Sequence, residues 1–314
     1  MNPAEALSLW CPPCNRETTH WFLRDHFSVE FQAHFGIYQC SGCLTKRTHP
    51  FLTEEQLKGY YSGEEITGAG LYHKWRKKYR YIHGWINRTL DTTGISVVEV
   101  GSGSGNLLRY FRESSGCTVT GLELSVPCRE YSQKVNGVKV FSGPLACYRA
   151  EHPGEADLVI MVHLFEHIPD PVPFLKEVAG ILKSRGHLYI ELPNAFMIDF
   201  DLLEEPANPL CVPFHSFLYH IDSLCRLLEQ NGFSVMARRY WSRKEDGGTI
   251  TSSLAACLKK KISRKLGDHA FSRFLGGVAK GIVRFFPNRY FLGYYCSRRN
   301  RSTTIAVLCR RATD

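Results

Sequence analysis

The stretch Val97-Val98-Glu99-Val100-Gly101-Ser102-Gly103-Ser104-Gly105-Asn106-Leu107-Leu108 constrains the fold more than any other part of the 314-residue chain. A β-branched run of this kind reads as a strand buried on both faces, and the alternate glycines after it let a turn approach a ligand with no Cβ in the way. A helical pattern begins at Asn106. Strand, glycine turn and helix in this order put the ligand at the carboxyl end of the strand, where an open parallel sheet has its crevice. A dinucleotide fingerprint would need G-x-G-x-x-G, with its third glycine where Asn106 stands. Here the glycines run G-x-G-x-G behind an acidic residue, Glu99.

A second signal lies downstream. Cys117 to Glu123 reads as the next strand with a carboxylate at its end, 22 residues past Gly101, placed to accept hydrogen bonds from both hydroxyls of a ribose. Together the two segments resemble the cofactor motifs of class I S-adenosylmethionine-dependent methyltransferases. The resemblance implies a doubly wound α/β sheet of seven strands, Rossmann-like, and a cofactor held by Glu99, Gly101, Ser102, Gly103, Gly105, Glu123, Leu124 and His163. Many members follow the third strand, here Val138 to Phe141, with an aspartate for the adenine amine; this chain has Ser142-Gly143-Pro144, so adenine recognition rests on backbone groups.

Asp157 to Val162 reads as the fourth strand, followed by His163-Leu164-Phe165-Glu166-His167-Ile168-Pro169-Asp170-Pro171. This E-H-x-x-D-P run resembles the branch that contains ubiquinone-biosynthesis and sugar-pathway methyltransferases, as does the L-P-N ending of the fifth strand, Gly186 to Asn194. A helix over Phe174–Leu182 joins the two. Residues 195–221 form a long loop rich in proline and aromatics, of a length commonly tied to function. Asp222 is expected to cap a helix to Gln230, Phe233 opens the sixth strand, and Thr303 to Cys309 fits the antiparallel seventh.

Two C-x-x-C knuckles, Cys11/Cys14 and Cys40/Cys43, lie 25 residues apart near the N-terminus. Four thiolates so paired suit tetrahedral Zn²⁺, and the strand-like segments between them give a zinc ribbon over 1–52. Residues 53–90 read as a linker and N-terminal helices, with Lys74, Arg76, Lys77, Lys78 and Arg80 on a solvated face. Residues 91–314 form the methyltransferase domain, with a basic helical insertion at 243–302.

The net charge of +9 is concentrated in that insertion: residues 257–301 carry 12 Lys/Arg against Asp268 alone. Such a segment suits an anionic membrane surface or a lipid-linked substrate. The N-terminus lacks the basic and apolar pattern of a leader, and no apolar run reaches spanning length, so the expected location is cytoplasmic, with peripheral membrane contact through the insertion.

Methylation of an alcohol needs a base near neutral pKa. His163, leaving the fourth strand, is the first candidate, followed by His167, Glu166, His215 and His220. In ubiquinone-pathway relatives acidic residues around this motif hold a divalent cation; His163 stands where an acid would help, against a catalytic metal here. The reading that follows is O-methylation of a sugar, glycan or natural-product small molecule. Its alternatives are an RNA methyltransferase gripping phosphates with ribbon and basic segment, disfavoured by the lack of an Asn/Asp-Pro-Pro-aromatic motif, and a non-catalytic module that keeps the fold.

Overall fold

The computed structural model describes residues 6–61, 70–194, 211–241 and 304–312. The 243–302 insertion and residues 195–210 of the long loop lie outside them.

The larger sheet has seven strands: β5 (Ser96–Val100), β6 (Thr118–Leu122), β7 (Lys139–Phe141), β8 (Ala156–Val162), β9 (Leu182–Pro193), β11 (Phe233–Trp241) and β12 (Thr304–Arg311). Their spatial order is β11-β12-β9-β8-β5-β6-β7. β5 pairs in parallel with β6 and β8, β8 with β9, and β12 runs antiparallel between β9 and β11. The expected seven-stranded α/β sheet is therefore present, with the predicted last strand in place.

The central strands are apolar on both faces because helices cover both. On one side Met161, Ile190 and Val307 pack with α6 (Pro171–Ile181) and α7 (Ile221–Gln230); on the other Leu158, Ile160 and Leu308 pack with α2 (Tyr72–Ile86) and α3 (Asn106–Ser115). α4 (Val126–Lys134) and α5 (Leu145–Glu151) complete the crossovers, α5 being a helix that the sequence reading did not contain. α6 begins three residues earlier than expected, since Pro171 at its first position has its φ already set for a helix.

The N-terminal sheet contains β1 (Ala6–Cys11), β2 (Arg16–Ser28), β3 (Ala33–Cys40) and β4 (Lys46–His49), all antiparallel, and a fifth strand that comes from far away in sequence. That strand is β10 (Phe217–Leu218), paired with Arg47 and Lys46 of β4. Thr48 adds two bonds, from its N–H to Ser216 O (3.1 Å) and from its hydroxyl to His215 O (2.7 Å), and the Thr45 hydroxyl donates to Ser223 Oγ (2.8 Å). The long loop thus stitches the two sheets together. After β4, α1 (Glu54–Tyr61) starts with a reciprocal cap: Thr53 N–H donates to Gln56 Oε1 (2.8 Å) and Gln56 N–H to Thr53 Oγ1 (3.2 Å).

Where α2 meets α3, His83 lies against Phe111, 2.6 Å from Ser115 Oγ and 3.0 Å from Thr92 Oγ1. Burial pushes its imidazole below the ordinary value, and His187 is shifted the same way, first by burial and then by Arg310. The unfolded chain therefore binds these protons at higher pH than the folded one. Their contribution is complete above about 6.5 and is lost as pH falls through that value towards the folded pKa. The melting temperature should drop on acidification, and less steeply in His83→Gln; superimposable profiles would contradict this.

Candidate active site and cysteine cluster

The glycine turn opens directly from β5. Gly101, Gly103 and Gly105 have φ of +72°, +51° and +71°, a left-handed conformation that favours glycine at each alternate position. The three do different work. A Cβ on Gly101 would lie 3.1 Å from Leu164, on the turn after β8, whereas one on Gly105 would lie 2.1 Å from Ser132 Oγ of α4. Gly105 therefore makes room for helix packing. Gly103 donates its N–H to Glu123 Oε2 (2.7 Å), and Ser125 N–H reaches Glu123 Oε1 (2.8 Å). Each carboxylate oxygen keeps a lone pair for a hydroxyl, so Glu123 fits a ribose diol. Leu124 beside it is 56% exposed, an apolar surface at the carboxyl edge, while Ser102 is buried under the turn. Glu99 is buried, its Oε2 without a partner, and burial pushes its carboxyl well above the usual range, with Lys78 acting the other way. An orphaned buried acceptor, a glycine-walled turn and a two-oxygen ribose acceptor together fit S-adenosylmethionine.

His163 directly follows β8 with φ +55°, an uncommon conformation for a side chain of this size, and such conformations gather at functional sites. Its N–H donates to Glu191 O (2.8 Å). Two buried carboxylates flank its ring: Glu166 Oε1 is 3.5 Å from Nδ1, and Glu191 Oε1 is 3.8 Å from Nε2. The ring itself remains 37% exposed, so a substrate can reach it. Burial raises the Glu166 carboxyl, but His163, His167 and His215 outweigh it and hold the group below the ordinary value. Glu191 is likewise raised by burial and brought below normal by Lys78, His163 and Tyr189. Lys78 Nζ lies 3.2 Å from Glu191 Oε1, and the Tyr189 hydroxyl donates to Oε2 (2.7 Å) while accepting from Arg239 Nη2 (3.2 Å).

Lys78 is thus turned inward, against the solvated placement expected for it; Lys74, Arg76, Lys77 and Arg80 are exposed as expected. The other candidate bases divide clearly. His215 is buried and its imidazole is pushed down to about 4, so it is neutral and weakly basic near pH 7. Its ring lies 4.7 Å from that of His167, whose Nδ1 is 3.1 Å from Phe214 O. Donor atoms of Glu166, His167 and His215 fall within 4.8 Å of one another, so this group could also hold a cation. His220 is the residue that caps α7, accepting from Asp222 N–H (3.3 Å), which places Asp222 in the first turn rather than at the cap.

With this geometry in hand the kinship is clear. Residues 72–237, more than half of the chain, match the methyltransferase-domain family. The chain belongs to that family. The methyltransferase is 24% identical over 205 residues to the ubiquinone biosynthesis O-methyltransferase of Albidiferax ferrireducens, covering 55% of this chain and 81% of that one. It is 31% identical over 121 residues to the ubiquinone biosynthesis O-methyltransferase of Bordetella pertussis, covering 35% of this chain and 48%, about half, of that relative. A Galdieria sulphuraria protein described as a sarcosine dimethylglycine methyltransferase shares the fold at 15% identity, with a TM-score of 0.50 over 76% of this chain and 86% of the other.

The methyltransferase also carries a closed group of four cysteines. Cys11 and Cys43 Sγ atoms are 3.5 Å apart, Cys14 and Cys40 3.8 Å, and all four lie within 4.8 Å of one another. A tetrahedron with Zn–S bonds of about 2.3 Å has edges of about 3.8 Å, so the donor set fits zinc. Gly42 N–H (3.3 Å) and the Thr18 hydroxyl (3.2 Å) bond to Cys40 Sγ, as outer partners of a metal thiolate do. The Cys11–Cys43 contact pushes the Cys11 thiol up and pulls the Cys43 thiol down to about 5. Among the described residues no helix is long and apolar enough to cross a membrane.

Proposed function

We infer that this methyltransferase methylates a hydroxyl of a sugar, glycan or natural-product small molecule, with His163 as the general base. The observation that carries this reading is the accessible His163 ring between the buried carboxylates of Glu166 and Glu191. S-adenosylmethionine, when bound, supplies an electrophilic methyl on a sulfonium. The protein then has to hold an acceptor oxygen in line and take its proton. His163 takes the proton, Glu166 stabilises the resulting imidazolium through Nδ1, and Glu191, kept ionised by Lys78 and Tyr189, guards the other edge of the ring. The O-methyltransferase names of the relatives are consistent with an oxygen acceptor. Labelled-methyl transfer to a metabolite extract tests it: label on oxygen supports the reading, and label on nitrogen or carbon refutes it.

The four cysteines are read as a structural zinc site whose metal binding is coupled to folding. One Zn²⁺ per chain should copurify, and Cys40→Ser should lower the melting temperature by more than about 5 °C, each kcal/mol being worth about 2–4 °C in a domain of this size. Chelator-free protein without stoichiometric zinc would sink this reading.

The 257–301 segment is read as an attachment to an anionic partner, a membrane surface or a lipid-linked acceptor, on the strength of its charge. Reversing Arg273, Lys280 and Arg284 to glutamate should release the protein from anionic vesicles with cofactor affinity unchanged; retained binding would leave the segment a structural role only.

A further inference from the structure

A cleft of about 520 Å³ opens where the N-terminal sheet meets the turn between β8 and α6. Arg47 of β4 is among its lining residues and is only 8% exposed. The guanidinium stacks on Phe51 (4.4 Å to the ring centroid) and Phe217 (5.4 Å), and its Nη1 donates to Trp10 O (3.0 Å). Its Nε is buried with no acceptor, and no carboxylate among the described residues contributes to its electrostatics. A buried guanidinium with one nitrogen unpaired and no carboxylate beside it is costly unless an anion is supplied.

Asp170, at the N-cap position of α6, also lines the cleft. Its side chain makes no cap bond. The carboxylate is therefore exposed and unengaged among the described residues. Trp10, 52% exposed, lines the cleft as well. The cleft shares its segments with the reacting group: Asp170 follows His163, Glu166 and His167 on one turn, and Phe217 follows His215 on the other.

We propose that this cleft binds the methyl acceptor as a hydroxylated ring bearing a phosphate or carboxylate. Arg47 takes the anion, Trp10 and Phe51 lie against the ring, and Asp170 accepts from a ring hydroxyl. The inference rests on the reading of the protein as a hydroxyl methyltransferase and narrows its acceptor class. The competing role for Arg47 is as counter-charge to the thiolates of the cysteine cluster, since Cys11 is a charge that acts on it.

The test uses the full chain loaded with S-adenosylhomocysteine, titrated calorimetrically with glucose 1-phosphate, glucuronate and neutral methyl glucoside. At least one anionic ring should bind more than about tenfold tighter than the neutral one, and phosphate against carboxylate names the source of the charge. Trp10→Ala, a change at an exposed position, should weaken that binding by about tenfold, and Arg47→Gln should abolish the preference for the anion, both with S-adenosylhomocysteine affinity intact. Equal binding of neutral and anionic rings, no binding of any of them, or an unaffected Trp10→Ala overturns the proposal. If Arg47→Gln instead loses zinc or fails to fold, the counter-charge role is shown for Arg47, and the wild-type ring preference together with Trp10→Ala decides. Failure of S-adenosylhomocysteine itself to bind would strike the cofactor reading, separately from the cleft.

Discussion

Gly103→Val is expected to remove measurable S-adenosylmethionine binding while leaving the chain folded. Gly103 holds φ +51° in the middle of the turn, and a β-branched residue there meets a left-handed penalty of roughly 1–2 kcal/mol before any ligand arrives. Relaxing that strain would rotate the N–H that now donates to Glu123 Oε2, so the turn and the ribose acceptor would be lost together. The valine side chain would also stand where the backbone has to approach the cofactor. Glu123→Gln separates the two effects: its one amide oxygen can keep the bond from Gly103 N–H while the bond from Ser125 N–H is lost, and it should weaken binding by about 1–3 kcal/mol, or roughly 5- to 150-fold. Gly105→Ala serves as the contrast. Its Cβ would strike Ser132 Oγ, so it should lower the melting temperature more than the affinity. Unchanged affinity in both Gly103→Val and Glu123→Gln would mean that the cofactor lies elsewhere.

His163→Asn should lower kcat by about 10²- to 10⁴-fold with the cofactor dissociation constant little changed. Asparagine is chosen because it tolerates the left-handed backbone that His163 adopts, so the loss reports the missing base rather than a distorted turn. Glu191→Gln should fall between wild type and His163→Asn, since it loosens the ring and leaves Lys78 without its partner. His215→Asn should affect stability more than rate, because a buried imidazole pushed down to about 4 is a poor base at neutral pH. A His163→Asn variant with wild-type kcat would remove the base from the account.

Much of this arrangement could be read from residue order. Local rules sufficed for β5 and its glycines, the Glu123 strand end, the fourth-strand turn and the four cysteines, because each depends on neighbours in sequence. What escaped depends on tertiary contact. Lys78 sits in a run of like charges, and only the packing of α2 against β9 turns it towards Glu191. Glu191 reads as one polar residue in an apolar strand, with no hint that His163 and Tyr189 lie against it. The residues of β10 look like loop, since their pairing partners lie more than 160 positions earlier. Gly105 has the same motif spacing as its neighbours, and only Ser132 reveals its packing role. For His220 and Asp222 the local rule favoured the acid as cap, and the actual helix start places the histidine there.

The proposed reaction is transfer of a methyl group from a bound sulfonium to an oxygen at the carboxyl edge of this sheet, with help from His163. Its most direct measurement is carbon-13 NMR of the product formed from methyl-labelled S-adenosylmethionine by wild type and by His163→Asn, offered the ring that binds most tightly. Wild type should give a methyl ether signal that grows at least about a hundredfold more slowly in the variant. A labelled methyl on nitrogen or carbon, or equal rates in the two proteins, would contradict it.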